Sequence, residues 1–438
     1  MNEAPLPPNL DGSDTEMLDR IQKETFEYYV GEVNAGNGLV ADSTQPGSPS
    51  SIAVVGLALT AYPVGVERGF WTREEAAVRT ATTLSFFERS SQGPEADATG
   101  YRGFYYHFLD MNTGQRAWHC ELSTIDTTFL IAGALAAAAY FDAETERERG
   151  IRRMAEALYR RVDWVWACNG GATVTHGWTP ESGFLRYRWH GYSEALLLYV
   201  LGLASPTHPL PPASYRAWTS TYGWKDIYGT EFLYAGPLFI HQLSHLWLDL
   251  RGIADGFVHE RGIDYFENSR RATHVQQEYA IRNPQEFAHY GRHCWGITAS
   301  DGPGPATVKI RGILRKFHGY LARGAPFGPD DGTVAPWAVV ASLPFAPEIV
   351  LPTIRYFIEE IHLKEREAYG FEATFNATYP ETSKNPFGWV SPWILGLNQG
   401  PIVMMIENFR SALVWRLMRA CPAIRTGLTR AGFRGGWL

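Results

Sequence analysis

Two kinds of apolar segment alternate along this chain, separated by long polar and aromatic stretches. Ser50 to Tyr62, Glu121 to Tyr140 and Ala195 to Leu203 are apolar almost all round, as helices packed inside a large domain are. Asp14 to Val30, Thr72 to Ser90 and Arg147 to Cys168 carry apolar stripes beside charged faces, the pattern of surface helices. Thr72 is placed to cap its helix, and Ser13 or Asp14 to cap the first one. Pro237 to Arg251, Gly262 to Arg282, Pro347 to His362 and Gln399 to Arg419 predict further helices. Residues 91–120 break the helical period, alternate, and read as a hairpin or long loop. Residues 170–189, 291–305, 323–337 and 370–400 are long loops rich in Gly, Trp, His and Asp.

About a dozen helices at intervals of roughly 30–40 residues, with alternating short and long loops, predict an all-α fold of α/α-toroid type. Strand–helix alternation is missing, which argues against doubly wound and TIM folds. Residues 1–14 read as an N-terminal arm. No Gly/Ser or charged linker divides 15–438, which therefore reads as a single domain despite a chain of 438 residues.

Composition narrows the partners. A net charge of −7, with both signs interspersed, argues against nucleic acid or an anionic membrane. The chain is 14% aromatic, with 15 Trp and 22 Tyr, residues whose flat faces and polar tips suit sugar rings. Cys120, Cys168, Cys294 and Cys421 lie too far apart for a CxxC cage or a dense disulfide scaffold, and no cofactor is expected. No apolar run approaches the ~20 residues of a membrane span. MNEAPLPPNLDGSD lacks the basic and apolar regions of a signal peptide, so the chain as written is expected in the cytoplasm, or in the periplasm or outside the cell if a leader has been removed.

The chemistry centres on RYRWHGYSEALLLYVLGL, residues 186–203. Ser193 is expected to cap a buried helix with Glu194 in its first turn, beside Trp189, His190 and Tyr192. A helix dipole alone lowers a carboxyl pKa by less than about one unit. Burial among aromatics raises it by roughly 3 units or more, which would make Glu194 a general acid. Other carboxylates at helix mouths or in aromatic loops are Glu121 and Asp126, Asp301, Asp330 and Asp331, and Glu407. Each has a structural alternative: Ser123 with Asp126 fits a capping pattern, while Asp301 and DDGTVAP fit Asp-Gly turns. The aromatic and imidazole neighbours Trp118, His119, Trp178, Tyr192 and Trp295 are candidate substrate contacts.

PLFIHQLSHLWLDLR places His241, His245 and Asp249 on one face of a predicted helix. A zinc site would need a glutamate where Gln242 stands, so the stripe is read as lining a substrate cavity and no metal is expected. P-loop and G-x-S-x-G patterns are missing from the sequence.

Taken in order, ELSTIDTTFLIAGAL, GYSEALLLYVLGL, FIHQLSHLWLDLRGI, WGITASDGPG, DDGTVAPWAVVASLPFAPEIVLP and LGLNQGPIVMMIENFRSALVW resemble the glycoamylase-like domain family. That family includes endo-β-1,2-glucanases and a region of cyclic β-1,2-glucan synthases, and the resemblance spans about residues 20–418. It implies an (α/α)6 barrel, to which the broken helical pattern adds long loops and a small β-hairpin expected at the cleft. It also implies action on β-glucan, most of all β-1,2-glucan or its oligosaccharides; with the clustered carboxylates, hydrolysis by acid/base catalysis with inversion is expected. Transglycosylation and non-catalytic glucan binding are the alternatives. By position, Glu194 resembles the family's general acid, with Asp126, Glu121 or Asp301 supplying or supporting the base. His241, Gln242, His245, Trp393, Gln399 and Glu407 would line subsites. Asn398 stands before the QGP where many members carry an aspartate.

Overall fold

The computed structural model describes residues 12–363, 368–380 and 387–438. Residues 1–11 of the expected arm lie outside the described residues, as do 381–386 of the last long loop; Gly12 to Asp14 already belong to the first helix.

Apolar patterning sorts the helices into two kinds. The amphipathic ones, with one buried face, are α1 (Gly12–Phe26), α3 (Arg73–Arg89), α5 (Glu146–Arg161), α8 (Pro347–Glu359) and the C-terminal α10 (Pro422–Ala431). α7 (Tyr265–Arg282) buries a wider face. Three helices are wrapped by protein over most of their surface: α2 (Ile52–Glu67), α4 (Thr124–Tyr140) and α6 (Leu196–Ala204). So is α9 (Gly396–Arg410). One continuous apolar core runs from Met17 to Phe433. α2 and α4 cross in backbone contact, because a Cβ on Gly56 would strike the main chain of Phe129 and one on Gly133 the main chain of Gly56.

Local chemistry sets the ends. Thr72 caps α3 in a reciprocal box with Glu75, as its sequence predicts. Ser123 caps α4 by accepting from the Asp126 amide at 3.2 Å. The helix expected over Gln399 to Arg419 starts earlier and breaks at Ala412, whose φ of +54° is left-handed. The helix expected over Pro237 to Arg251 is replaced by two 3₁₀ turns, Leu238–His241 and Leu243–Leu246. Gln242 breaks the run between them, with its side-chain amide donating to the Ala338 carbonyl at 2.6 Å and to Ser342 Oγ at 2.8 Å. Buried tertiary bonds override helical periodicity there.

The fold is helix-rich, and the all-α expectation needs one amendment. Residues 100–184 contribute a five-stranded antiparallel sheet: β1 (Gly100–Tyr101), β2 (Phe104–Tyr106), β3 (Leu122–Ser123), β4 (Gly177–Thr179) and β5 (Gly183–Phe184). Tyr105 faces Ser123 and Tyr106 faces Leu122 across β2 and β3. A hairpin, β6 (Ala306–Ile310) and β7 (Ile313–Phe317), stands nearer the C-terminus.

Candidate active site

A cleft of about 550 Å³ opens where the wrapped segments begin. Ser51 precedes α2; Ile125, Asp126 and Phe129 lie in the first turns of α4; Glu194 precedes α6; Leu397 and Asn398 start α9. Phe239 and Leu243 come from the 3₁₀ turns, and Trp337 from the short helix Pro336–Val340. Helix N-termini carry partial positive charge, so this mouth favours carboxylates. Among the described residues four face it: Asp42, Asp126, Glu194 and Asp301.

Glu194 does not sit in a first helical turn as expected, because α6 begins two residues later with Ala195 as its cap. The terminus is satisfied from elsewhere in the chain. Ser244 Oγ accepts from the Leu197 amide at 3.3 Å and donates to the Glu194 carbonyl at 2.9 Å. The Glu194 carboxyl is left facing the cleft, and burial, reinforced by the charge of Asp126, pushes it up to about 7.

Asp126 accepts a hydrogen bond from Ser123 Oγ and faces His107, with Nε2 at 3.6 Å. His107 Nδ1 lies 3.1 Å from Glu121 Oε1, and the ring stacks on Phe108 at 4.1 Å. Burial works against the imidazolium, but the charges of Asp126, Glu121 and Asp42 outweigh it and raise His107 to about 9. Burial resists ionisation of Glu121 too, yet His107 holds its carboxyl below the usual range. Asp42 is pushed up to about 6 by burial, against the pull of His107.

Aromatic groups complete the walls. Trp118 lines the cleft, is 66% exposed, and packs on Phe108 at 5.0 Å. Trp393, Trp337 and Tyr320 also line it. Crowding by protein, followed by the charges of Asp42, Asp126, Glu194 and Asp301, raises the Tyr320 hydroxyl to about 12, so Tyr320 stands among all four carboxylates. Two lining N–H groups, Trp337 Nε1 and Asn398 Nδ2, are buried and lack a hydrogen-bond partner among the described residues. A buried donor in that state calls for a partner, such as an ordered water.

Of the residues expected from sequence, the cleft gathers Glu194, Asp126, Asp301, Trp118, Trp393 and Asn398, with Glu121 one step behind through His107. The others lie off its lining. Trp178 packs on Tyr101 and Trp166, and His119 is exposed on the surface. Tyr192 packs on Tyr222, His241 and Tyr265. Trp295 is fully buried and donates to Thr353 at 2.9 Å. His241 and His245 are buried and held near pKa 4 and 3 by desolvation; their Nε2 atoms lie against the Ala235 carbonyl and Ser269 Oγ. Their expected partner Asp249 is instead paired with Arg251 and Arg419. Gln242 is spent on Ala338 and Ser342, and Gln399 Nε2 donates to the Leu395 carbonyl at 3.3 Å. Glu407 is clamped by Arg68. Asp330 accepts from Tyr279 and Tyr290, and Asp331 pairs with Arg323. Among the described residues no three His, Cys, Asp or Glu side chains converge as metal ligands.

Sequence reasoning missed Asp42, His107, Tyr320 and Trp337. The signal for His107 lay in GFYYHFLD, where strand alternation puts it on the face opposite Tyr106.

The chain is 28% identical to an exo β-1,2-glucooligosaccharide sophorohydrolase (non-reducing end) of Parabacteroides distasonis, over 95% of its own length and 58% of the relative's. It thus spans less than two thirds of that curated relative. A Bacteroides uniformis structure described as a "putative glucoamylase" superposes with a TM-score of 0.86 at 31% identity, covering 98% of this chain and all of that one. The endo-β-1,2-glucanase of Chitinophaga pinensis, solved with sophorotriose and glucose, superposes with a TM-score of 0.84 at 27% identity, covering 97% and 99%. Residues 186–422 match the model of the Glycoamylase family, described as "putative glucoamylase", and with more than half of its length so matched the chain belongs to that family.

Proposed function

We propose that the protein hydrolyses β-1,2-glucan or its oligosaccharides by paired-carboxylate catalysis with inversion. The observation that carries this reading is the placement of Glu194, a carboxyl just before α6 that shares a cleft with Asp126 and that burial pushes up to about 7. Glu194 protonates the departing glycosidic oxygen, and Asp126 draws a proton from the attacking water on the other face of the sugar. Trp118 and Trp393 offer flat faces to the neighbouring sugars. The linkage is supported by the names of the Parabacteroides and Chitinophaga relatives.

The same reading extends to architecture. Six segments reach the cleft by their starts: α2, α4, α6, the 3₁₀ turns, Pro336–Val340 and α9. They are taken as the inner ring of an (α/α)6 toroid, with the amphipathic helices outside.

Incubation with linear β-1,2-glucan and sophorotriose, followed by NMR of the products, tests the proposal. Shorter β-1,2-oligosaccharides whose new reducing end appears first as the α-anomer are expected. Turnover of another glucan but not of these overturns the linkage. Longer or cyclic products overturn hydrolysis in favour of transglycosylation. A β-anomer overturns inversion.

A further inference from the structure

We propose that His107 is a positioning residue: held as an imidazolium between Glu121 and Asp126, it is a fixed positive charge at the cleft and holds the Asp126 side chain in place opposite Glu194. This rests on the hydrolase reading above.

The placement begins with register. The His107 amide donates to the Glu121 carbonyl at 2.9 Å, continuing the β2–β3 ladder by one residue. Residues paired in this way share a face of the sheet, which brings Nδ1 to 3.1 Å from Glu121 Oε1. The other nitrogen is left 3.6 Å from Asp126 Oδ2, the oxygen already held by Ser123 Oγ. Both ring nitrogens therefore face carboxylate oxygens, and a neutral imidazole has only one N–H to offer. Stacking on Phe108, with 9° between the planes, fixes the ring against rotation.

Charge count gives the second argument. Asp42, Asp126, Glu194 and Asp301 line the cleft, and among the described residues no Lys or Arg lines it. His107 is a basic side chain set among them. The charged groups acting on it are Asp126, Glu121 and Asp42, and all three favour the imidazolium. Without that charge, a proton settles more readily on Asp126, and an acid at that position cannot take one from water.

His107→Gln in the full chain, assayed on β-1,2-glucooligosaccharide, is expected to lower kcat tenfold or more with KM within about threefold. The acid limb of its kcat–pH profile should move up by about one unit, a tenfold change in proton affinity. A structural role would scale the profile without moving that limb. Imidazole NMR of the substrate-free protein provides a reading independent of turnover. The ring should titrate near 9 in the wild type and shift toward the ordinary 6.5 in Asp126→Asn. Should His107→Gln not fold, the titration of the wild-type ring decides the proposal by itself. An unmoved limb in a folded variant, or a wild-type ring titrating near 6.5, overturns the proposal. If the wild type cleaves no β-1,2-glucan, the hydrolase reading falls, while the NMR titration still decides whether His107 carries the charge.

Discussion

Arg68 holds Glu407 by both carboxylate oxygens, with Nε 2.6 Å from Oε2 and Nη2 2.9 Å from Oε1. Ser411 and Gln22 donate to the same carboxylate, and Glu407 is only 1% exposed. This glutamate fastens α9 to the turn after α2. Glu407→Ala leaves a guanidinium without its partner in a partly buried site, at a cost of about 2–3 kcal/mol in chemical denaturation. The KM of the folded fraction should stay within about twofold, whereas a large KM change would place Glu407 at the substrate after all.

Glu194 sets stability against function. Its pKa is about 7 in the fold against an ordinary 4.5, so the folded protein holds this proton more tightly than the unfolded chain. Ionisation therefore opposes folding as pH rises through about 7 and has no effect below about 4.5. Glu194→Gln should be more stable than the wild type at pH 8 by about 1–3 kcal/mol and equal to it at pH 4. Its kcat should fall by about 10²–10⁴-fold. Denaturant midpoints at the two pH values, with kinetics at neutral pH, check both halves.

Trp337 and Asn398 line the cleft, and each holds a buried N–H without a hydrogen-bond partner among the described residues. A hydrogen bond to a sugar hydroxyl is worth about 0.5–1.5 kcal/mol, so Trp337→Phe and Asn398→Ala should each weaken substrate binding by about 2–10-fold. Their stability should hold or improve, since a desolvated donor is removed. Calorimetric titration of sophorotriose into Glu194→Gln backgrounds measures this directly.

Trp118 holds a left-handed backbone, φ +55°, beside His119 at +51°. Two consecutive non-glycine residues in that region mark strain kept for a purpose. Arg116 holds the loop, its guanidinium donating to the carbonyls of His119 at 2.7 Å and Cys120 at 2.6 Å. Trp118→Ala should raise KM for oligosaccharides about 3–10-fold, in line with the loss of one aromatic face. With a side chain already 66% exposed, thermal stability should not fall.

Much of this was legible in the sequence because it is local. Apolar runs located α2, α4 and α6, and Thr72 and Ser123 announced their caps. Asp126 and Glu194 stood out as carboxylates at helix mouths. What escaped depended on distant partners. Glu407 looked like Glu194 until Arg68, far away in sequence, claimed it. His241 and His245 seemed to share a helix face, but Gln242 is bound to residues about a hundred positions on and no helix forms. His107 and Asp42 sat in loops whose position over the cleft comes from strand pairing and from the Gly396 amide bonding to the Asp42 carbonyl at 2.7 Å.

Strand β3 is two residues long, pinned by β2 and β4, and runs straight into the capped start of α4. The Tyr105 amide also bonds Thr127 Oγ1 at 3.0 Å, tying the far side of the ladder to that helix. Glu121, Ser123 and Asp126 thus keep a phase set by main-chain pairing. Substitution there leaves the remaining groups in place. Adding or deleting one residue between 121 and 126 would turn Leu122 toward His107 and move the cap off the Asp126 amide. This stretch is length-locked, and evolution or engineering of the site can change its letters but not its spacing.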